Sequence, residues 1–137
     1  MRLTDELLAQ ARAINWAHAH DPGLTLTLPV RTESEANRRD KWAAVERAKA
    51  QRLAVTLAWP RSRRNGWAGR VVVVLTRVSP RGRLDGDNLA RALKAIRDGV
   101  AATLSRDDGE SELTWLYQQE RGPWAVRVDV FSQLPCR

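Results

Sequence analysis

The sequence predicts an α/β (α+β) fold, a small mixed β-sheet flanked by helices. Three observations carry that expectation. Residues 70–78, "RVVVVLTRV", hold an unbroken run of valines, which suits a central strand buried on both faces. Apolar residues at helical spacing lie on either side of that run. The chain of 137 residues, 43% hydrophobic, is large enough for one core without disulfide staples. The expected order is α-β-α-β-α-β-β in a single domain over 1–137, without repeats, low-complexity tracts or a linker.

Residues 4–19 read as a helix with Leu7, Leu8, Ala11 and Ile14 as its stripe, and Asp21-Pro22-Gly23 ends it. "LTLTLPV" (24–30) alternates leucine with threonine and reads as a period-2 strand. "TESE" at 32–35 has the capping-box pattern and opens a long helix, on which Trp42, Val45, Lys49, Leu53 and Leu57 form one face. Lys49 is the poor member of that face. "PRSRRNGWAG" (60–69) is a loop, followed by the valine strand and a second basic loop at 79–85. From Asn88, the residues Leu89, Leu93, Ile96, Val100 and Leu104 mark one helical face. "ELTWLYQQE" (112–120) and "WAVRVDVF" (124–131) read as a hairpin joined at Arg121-Gly122-Pro123.

The net charge of +7 is concentrated. Residues 61–84 hold seven arginines and no acid; the other 16 basic residues balance the 16 acidic ones. An all-arginine block suits polyanion contact, because guanidinium pairs bidentately with phosphate. Arg61, Arg63, Arg64, Arg70, Arg81 and Arg83 are therefore the candidate DNA-binding residues, with solubility as the plainer alternative. The single cysteine, Cys136, has no partner for an intrachain disulfide. No run of residues has membrane length, and the start of the chain does not read as a secretory leader. The expected setting is a reducing cytoplasm, with no membrane partner. Six tryptophans suit core anchoring; Trp67, in the basic loop, is the one best placed to stack on a base, against a packing role under the loop. His18 and His20, the only histidines, suit the end of the first helix rather than a metal.

The acids carry the chemistry. "RGRLDGDNLARALK" (81–94) places Asp85 and Asp87 where a basic loop enters a helix, and Asp107-Asp108 follows that helix. Asp87 or Asn88 would serve as an ordinary N-cap, and "DDGE" as a solvent turn. Crowded carboxylates instead repel unless a cation compensates, and a hard divalent ion such as Mg²⁺ accepts oxygen ligands, water and phosphate. No histidine or cysteine lies near, which argues against zinc. A divalent ion beside phosphate-binding arginines suits phosphodiester cleavage, since it lowers the pKa of its water and neutralises the scissile phosphate. A helix from 88 to 104 spans roughly 26 Å at 1.5 Å per residue. Asp108 can therefore join Asp85 and Asp87 only if the turn folds back, or if it comes from a second subunit.

"LDGDNLARALKAIRDGVAATLSRDDGE" resembles the RusA family of Holliday junction resolvases, including its phage-borne members. The resemblance covers about 24–131: the early strand, a basic helix, an arginine-rich strand and loop, D-x-D-N-L opening a helix, D-D after it, and a terminal hairpin. Residues 1–20 would be an added N-terminal helix. It implies a homodimer cutting four-way DNA junctions with paired symmetric nicks, using Mg²⁺ (or Mn²⁺). Asp85, Asp87 and Asp108 match the family's metal-binding catalytic aspartates, and Asn88 matches the asparagine after them. Arg91 stands where the family has its helix lysine. Lys94, a turn later, is the other candidate for charge on the phosphate. The interval from Asp87 to Asp108 is a couple of residues longer than the family's, and Glu110-Ser111 replaces glutamine-valine. The alternative expectation is a basic DNA-binding module with this fold and no cleavage. A third is an arginine–aspartate protein–protein bridge.

Overall fold

The computed structural model describes residues 2–32 and 41–132, with side chains from Leu8 onward. The elements are α1 (Arg2–His18), β1 (Leu24–Leu28), α2 (Lys41–Ala58), a 3₁₀ turn (Arg61–Arg63), β2 (Val71–Ser79), α3 (Gly86–Ala92), α4 (Lys94–Leu104), β3 (Leu113–Arg121) and β4 (Ala125–Ser132). Four strands form one mixed sheet in the order β1-β4-β2-β3. The α/β class expected from the sequence is the fold observed. Of the "TESE" capping box only Thr32 is described; the rest of it lies in residues 33–40, outside the described part.

β2 explains the layers. Val71 to Leu75 are all buried, and alternate side chains meet different partners. Val71, Val73 and Leu75 join Leu26, Leu28, Val126, Val128 and Val130 beneath α2, α3 and α4. Val72 and Val74 join Leu116 and Phe131 beneath α1. Both faces of the sheet are covered, so the valine run needs no polar alternation. Each such burial contributes roughly 1.5–3 kcal/mol.

The expected hairpin is not formed. β3 pairs parallel with β2, Val71 opposite Leu113, while β4 pairs antiparallel with β2 on its other side. The link from Arg121 crosses the end of β2: Gly122 donates its N–H to the Ser79 carbonyl at 3.1 Å, and a Cβ on Gly122 would sit 3.0 Å from Val78 Cγ1. Two neighbouring strand spacings are about 10 Å, within the reach of three extended residues. Such a link can bridge over a strand as readily as turn back.

Two helical expectations also change. The helix expected from 88 to 104 bends at Leu93, whose φ of −101° and ψ of 2° separate α3 from α4. α4 ends at Ser105 in the left-handed region (φ 57°), which satisfies its last carbonyls and reverses the chain. On α1 the buried end is the C-terminal half: Ala17 is buried, with Ala13, Ile14 and Trp16 against the same cluster, whereas Leu8 is exposed. On α2 the expected apolar face is exposed at Trp42, Val45, Leu53 and Leu57, and Val55 is buried instead. Small residues decide that choice. A Cβ on Gly99 of α4 would lie 3.2 Å from Arg52 Cα and 3.2 Å from Val55 Cβ, so α2 is seated where α4 offers no side chain.

Candidate functional site

Asp85 is the N-cap of α3, a role the sequence assigned to Asp87 or Asn88. Its Oδ1 accepts the Asn88 backbone N–H at 2.9 Å, and its Oδ2 accepts from the Asn88 side-chain amide at 3.2 Å. Asp87 follows in the first turn and is exposed. Both carboxylates therefore stand at the positive end of a short helix. Their loop is pinned by a residue that sequence reasoning missed. Gln119 of β3 accepts the Leu84 N–H at 2.9 Å and donates to the Leu84 carbonyl at 2.8 Å. No sequence signal marks Gln119, because its position beside Leu84 arises from the parallel β2–β3 register.

That register also brings Arg121, opposite Ser79, to the basic loop. A cavity of about 210 Å³ is lined by Arg77, Arg81, Arg83 and Arg121, with Gln119 and Glu120. Arg81 and Arg83 are exposed, as an anion contact requires. Arg77 has a different task. It occupies the inward position after Leu75, is buried, and donates to the Thr32 carbonyl at 3.1 Å and the Gly82 carbonyl at 3.4 Å.

The turn after α4 returns along the helix, and Arg97 holds it there. Arg97 Nε lies 3.2 Å from Asp108 Oδ2, while its terminal nitrogens donate to the Asp108 carbonyl at 3.0 Å and the Tyr117 hydroxyl at 2.8 Å. The guanidinium carbon stands 4.8 Å from the Trp115 ring centroid, and Trp115 Nε1 also donates to the Asp108 carbonyl, at 2.9 Å. Asp108 thus lines a groove of about 330 Å³ with Ala90, Arg91, Lys94, Arg97 and Tyr117. Arg91 and Lys94 line this groove together with Asp108, without Asp85 or Asp87 among its lining residues. Lys94 also pairs with Asp98 at 3.4 Å.

The three aspartates are not gathered into one cluster. Among the described residues no group of three or more His, Cys, Asp or Glu is close enough to hold a metal ion. Asp108 answers to Arg97, and Asp85 answers to Asn88. The donor chemistry at the first turn of α3 fits Mg²⁺, which needs only one or two carboxylates besides water and phosphate. The three-aspartate set does not fit as it stands.

The arginine block, continuous in sequence, is divided in space. Arg81 and Arg83 lie beyond Ser79, at the Asp85 end of β2. Arg61, Arg63, Arg64 and Arg70 lie before Val71, at the other end, about 26 Å away for a nine-residue strand. There Arg63 donates to the Gly23 carbonyl at 2.7 Å and Arg64 to the Thr56 carbonyl at 3.2 Å. Arg61 and Arg70 are exposed. Trp67 is buried, donates to the Arg63 carbonyl and packs edge-on against Trp59, so it is a packing residue and not a stacking platform. His20 stacks on Trp16, and His18 meets Gln118 at 3.2 Å.

The fold and site define a mixed α/β domain with two exposed carboxylates at the start of a short helix. No helix among the described residues is long and apolar enough to cross a membrane. No protein-family model matches the chain, and no curated protein matches its sequence.

Proposed function

We propose that the chain is an Mg²⁺-dependent, structure-selective endodeoxyribonuclease of the RusA type, working as a homodimer that resolves four-way DNA junctions by paired nicks. One juxtaposition carries the reading. Asp85 and Asp87 stand exposed at the start of α3, which the chain enters from Arg81 and Arg83 of one cavity and leaves toward Arg91 and Lys94 of another. A phosphodiester laid across α3 would meet these cations and the carboxylates together. Asp85 and Asp87 would hold the ion, whose contribution when bound is Lewis-acid polarisation of the phosphate. Arg91 and Lys94 would offset charge on the phosphate, and Arg97 would hold Asp108 beside them. Arginine contacts to backbone phosphates position DNA without reading sequence, so selectivity would come from junction shape. Such a protein would work in the cytoplasm.

The test is cleavage of a labelled four-way junction in Mg²⁺ or Mn²⁺ by the wild type and by Asp87→Asn. The variant should lose nicking while binding the junction as well as, or better than, the parent. Undiminished cleavage by Asp87→Asn would overturn the assignment.

A second reading, a DNA-binding module without cleavage, draws on the pairing of Asp108 with Arg97. Junction binding with no nicking in either metal would favour it.

A further inference from the structure

The apolar positions of α2 repeat at helical spacing, as a buried face would require, yet the structure leaves them in solvent. Trp42 is 78% exposed, Leu57 76%, Leu53 56% and Val45 44%. The helix cannot roll to bury them. Arg52 and Val55 lie about 80° and about 140° round the wheel from the centre of that stripe, packed against Gly99 of α4 so closely that a Cβ there would stand 3.2 Å from each. A rigid helix that shows a tryptophan and three aliphatic side chains to water marks an interaction surface.

We propose that this face of α2 docks against the same face of a second copy of the chain, antiparallel and two-fold symmetric about Lys49. The spacing of the stripe argues for that occupant. Positions 42, 45, 49, 53 and 57 read nearly the same from either end, so reversing one helix about Lys49 sets Val45 against Leu53 of the other copy. It also sets Trp42 against Thr56 and Leu57 of the other copy. Self-complementarity of this kind is what an isologous interface demands.

The charges agree. Lys49 would be an unfavourable centre by itself, but Glu46 lies one turn before it and already pairs with it at 3.7 Å. In the antiparallel pair, each Glu46 also comes within reach of Lys49 on the other copy. Two acids and two bases then alternate around the axis with no net charge. The four apolar side chains expose on the order of 500 Å², a fitting centre for an interface burying about 800 Å² per partner.

The pairing has a consequence for the site. Between α2 and the α3–α4 pair runs a groove of about 490 Å³ whose lining includes four cations, Arg47, Arg52, Arg91 and Lys94, one acid, Asp98, and several alanines. Antiparallel docking of α2 would therefore unite two such basic grooves in one two-fold body. This deepens the homodimer part of the preceding reading by assigning its surface. The surface argument itself uses no nuclease chemistry.

Sedimentation velocity on the full chain without DNA, over a concentration series, tests it. The wild type should be a dimer, and Leu53→Glu a monomer with an unchanged far-ultraviolet circular dichroism spectrum. Glu46→Lys and Lys49→Glu should each weaken dimerisation roughly ten-fold, and the double exchange should restore it. A monomeric wild type would overturn the proposal, since some other occupant would then cover the stripe. So would a Leu53→Glu protein that dimerises as well as its parent, or a double exchange that dimerises no better than either single variant. The outcome is separable from the nuclease assay: a protein that dimerises through α2 and never nicks DNA supports this docking and defeats the cleavage reading.

Discussion

Arg97 and Asp108 meet twice, once through the carboxylate at 3.2 Å and once through the Asp108 carbonyl at 3.0 Å. The second contact matters as much as the first, because it fixes the backbone of the turn and not only a side chain. Tyr117 and Trp115 complete the seat. Arg97→Ala should cost about 2 kcal/mol by urea denaturation, the scale of charged hydrogen bonds lost from a half-buried site. Arg97→Lys should recover little of it, since an ammonium cannot reproduce the planar fork that reaches Asp108 and Tyr117 together. Equal stability of all three proteins would show that the turn is held elsewhere.

Asp85 has a structural duty that Asp87 lacks. Its side chain accepts two hydrogen bonds from Asn88 at the start of α3. Asp85→Ala should therefore lose about 1 kcal/mol, and Asp85→Ser, which can still cap, should keep most of it. Asp87→Asn, at an exposed first-turn position, should leave the thermal midpoint almost unmoved. Melting curves of the three separate stability from any effect on DNA cleavage.

The sequence displayed the elements more readily than their neighbours. The valine run announced a central strand because both faces of β2 are covered, a local signature of a global fact. The β3–β4 hairpin misled because alternation identifies strands and says nothing about which strand lies between them. On α2, periodicity found the apolar stripe of Trp42, Val45, Leu53 and Leu57, but α2 packs by close approach to Gly99, which hydropathy does not weigh. The D-x-D-N motif showed where a helix begins, and α3 begins there. The partner of Asp108 was hidden, since Arg97 is one basic helix residue among several until the chain folds back.

Gly99 sets the spacing of α2 and α4. In an exposed helix, Gly→Ala would gain about 1 kcal/mol from helix propensity. Here the new Cβ would lie 3.2 Å from Arg52 Cα, a backbone atom that cannot rotate away. Overpacking should win, and Gly99→Ala should lower stability by about 1–2 kcal/mol, with Gly99→Val worse. A stabilised Gly99→Ala protein would mean that the two helices separate freely.

On the α1 side of the sheet, Arg127 donates to both carboxylate oxygens of Glu120, at 3.0 and 2.6 Å. That hydrogen bonding holds the Glu120 carboxyl below its ordinary value of 4.5. A depressed carboxyl contributes stability that is present above the unfolded-state value and is lost as pH falls through the folded one. Wild type should thus exceed Glu120→Gln by a constant margin near neutrality, a margin that starts to shrink around the ordinary value of 4.5 and is gone once pH has fallen below the depressed folded value. With the Glu120 side chain 48% exposed, screening keeps that margin to about 0.5 kcal/mol. Denaturation of both proteins across the acid range reads it directly, and a margin that grew on acidification would reverse the sign argued here.

The division of the arginines along β2 yields the last expectation. Arg81 and Arg83 lie in the loop that leads from β2 into α3, whereas Arg61 and Arg70 stand at the far end of a nine-residue strand. Each phosphate contact contributes about one unit to the slope of log affinity against log salt. Replacing Arg81 and Arg83 by alanine should shrink that slope by about two for any DNA long enough to cross α3. Replacing Arg61 and Arg70 should do the same only for branched or long duplex DNA, because about 26 Å of protein separates the two ends. A short duplex fixed at the Arg81 end cannot also reach Arg61. Binding curves for a short duplex and a four-way junction, each at several salt concentrations, therefore distinguish one continuous basic track from two stations. Equal losses from both pairs of substitutions on the short duplex would show that the ends act as a single surface.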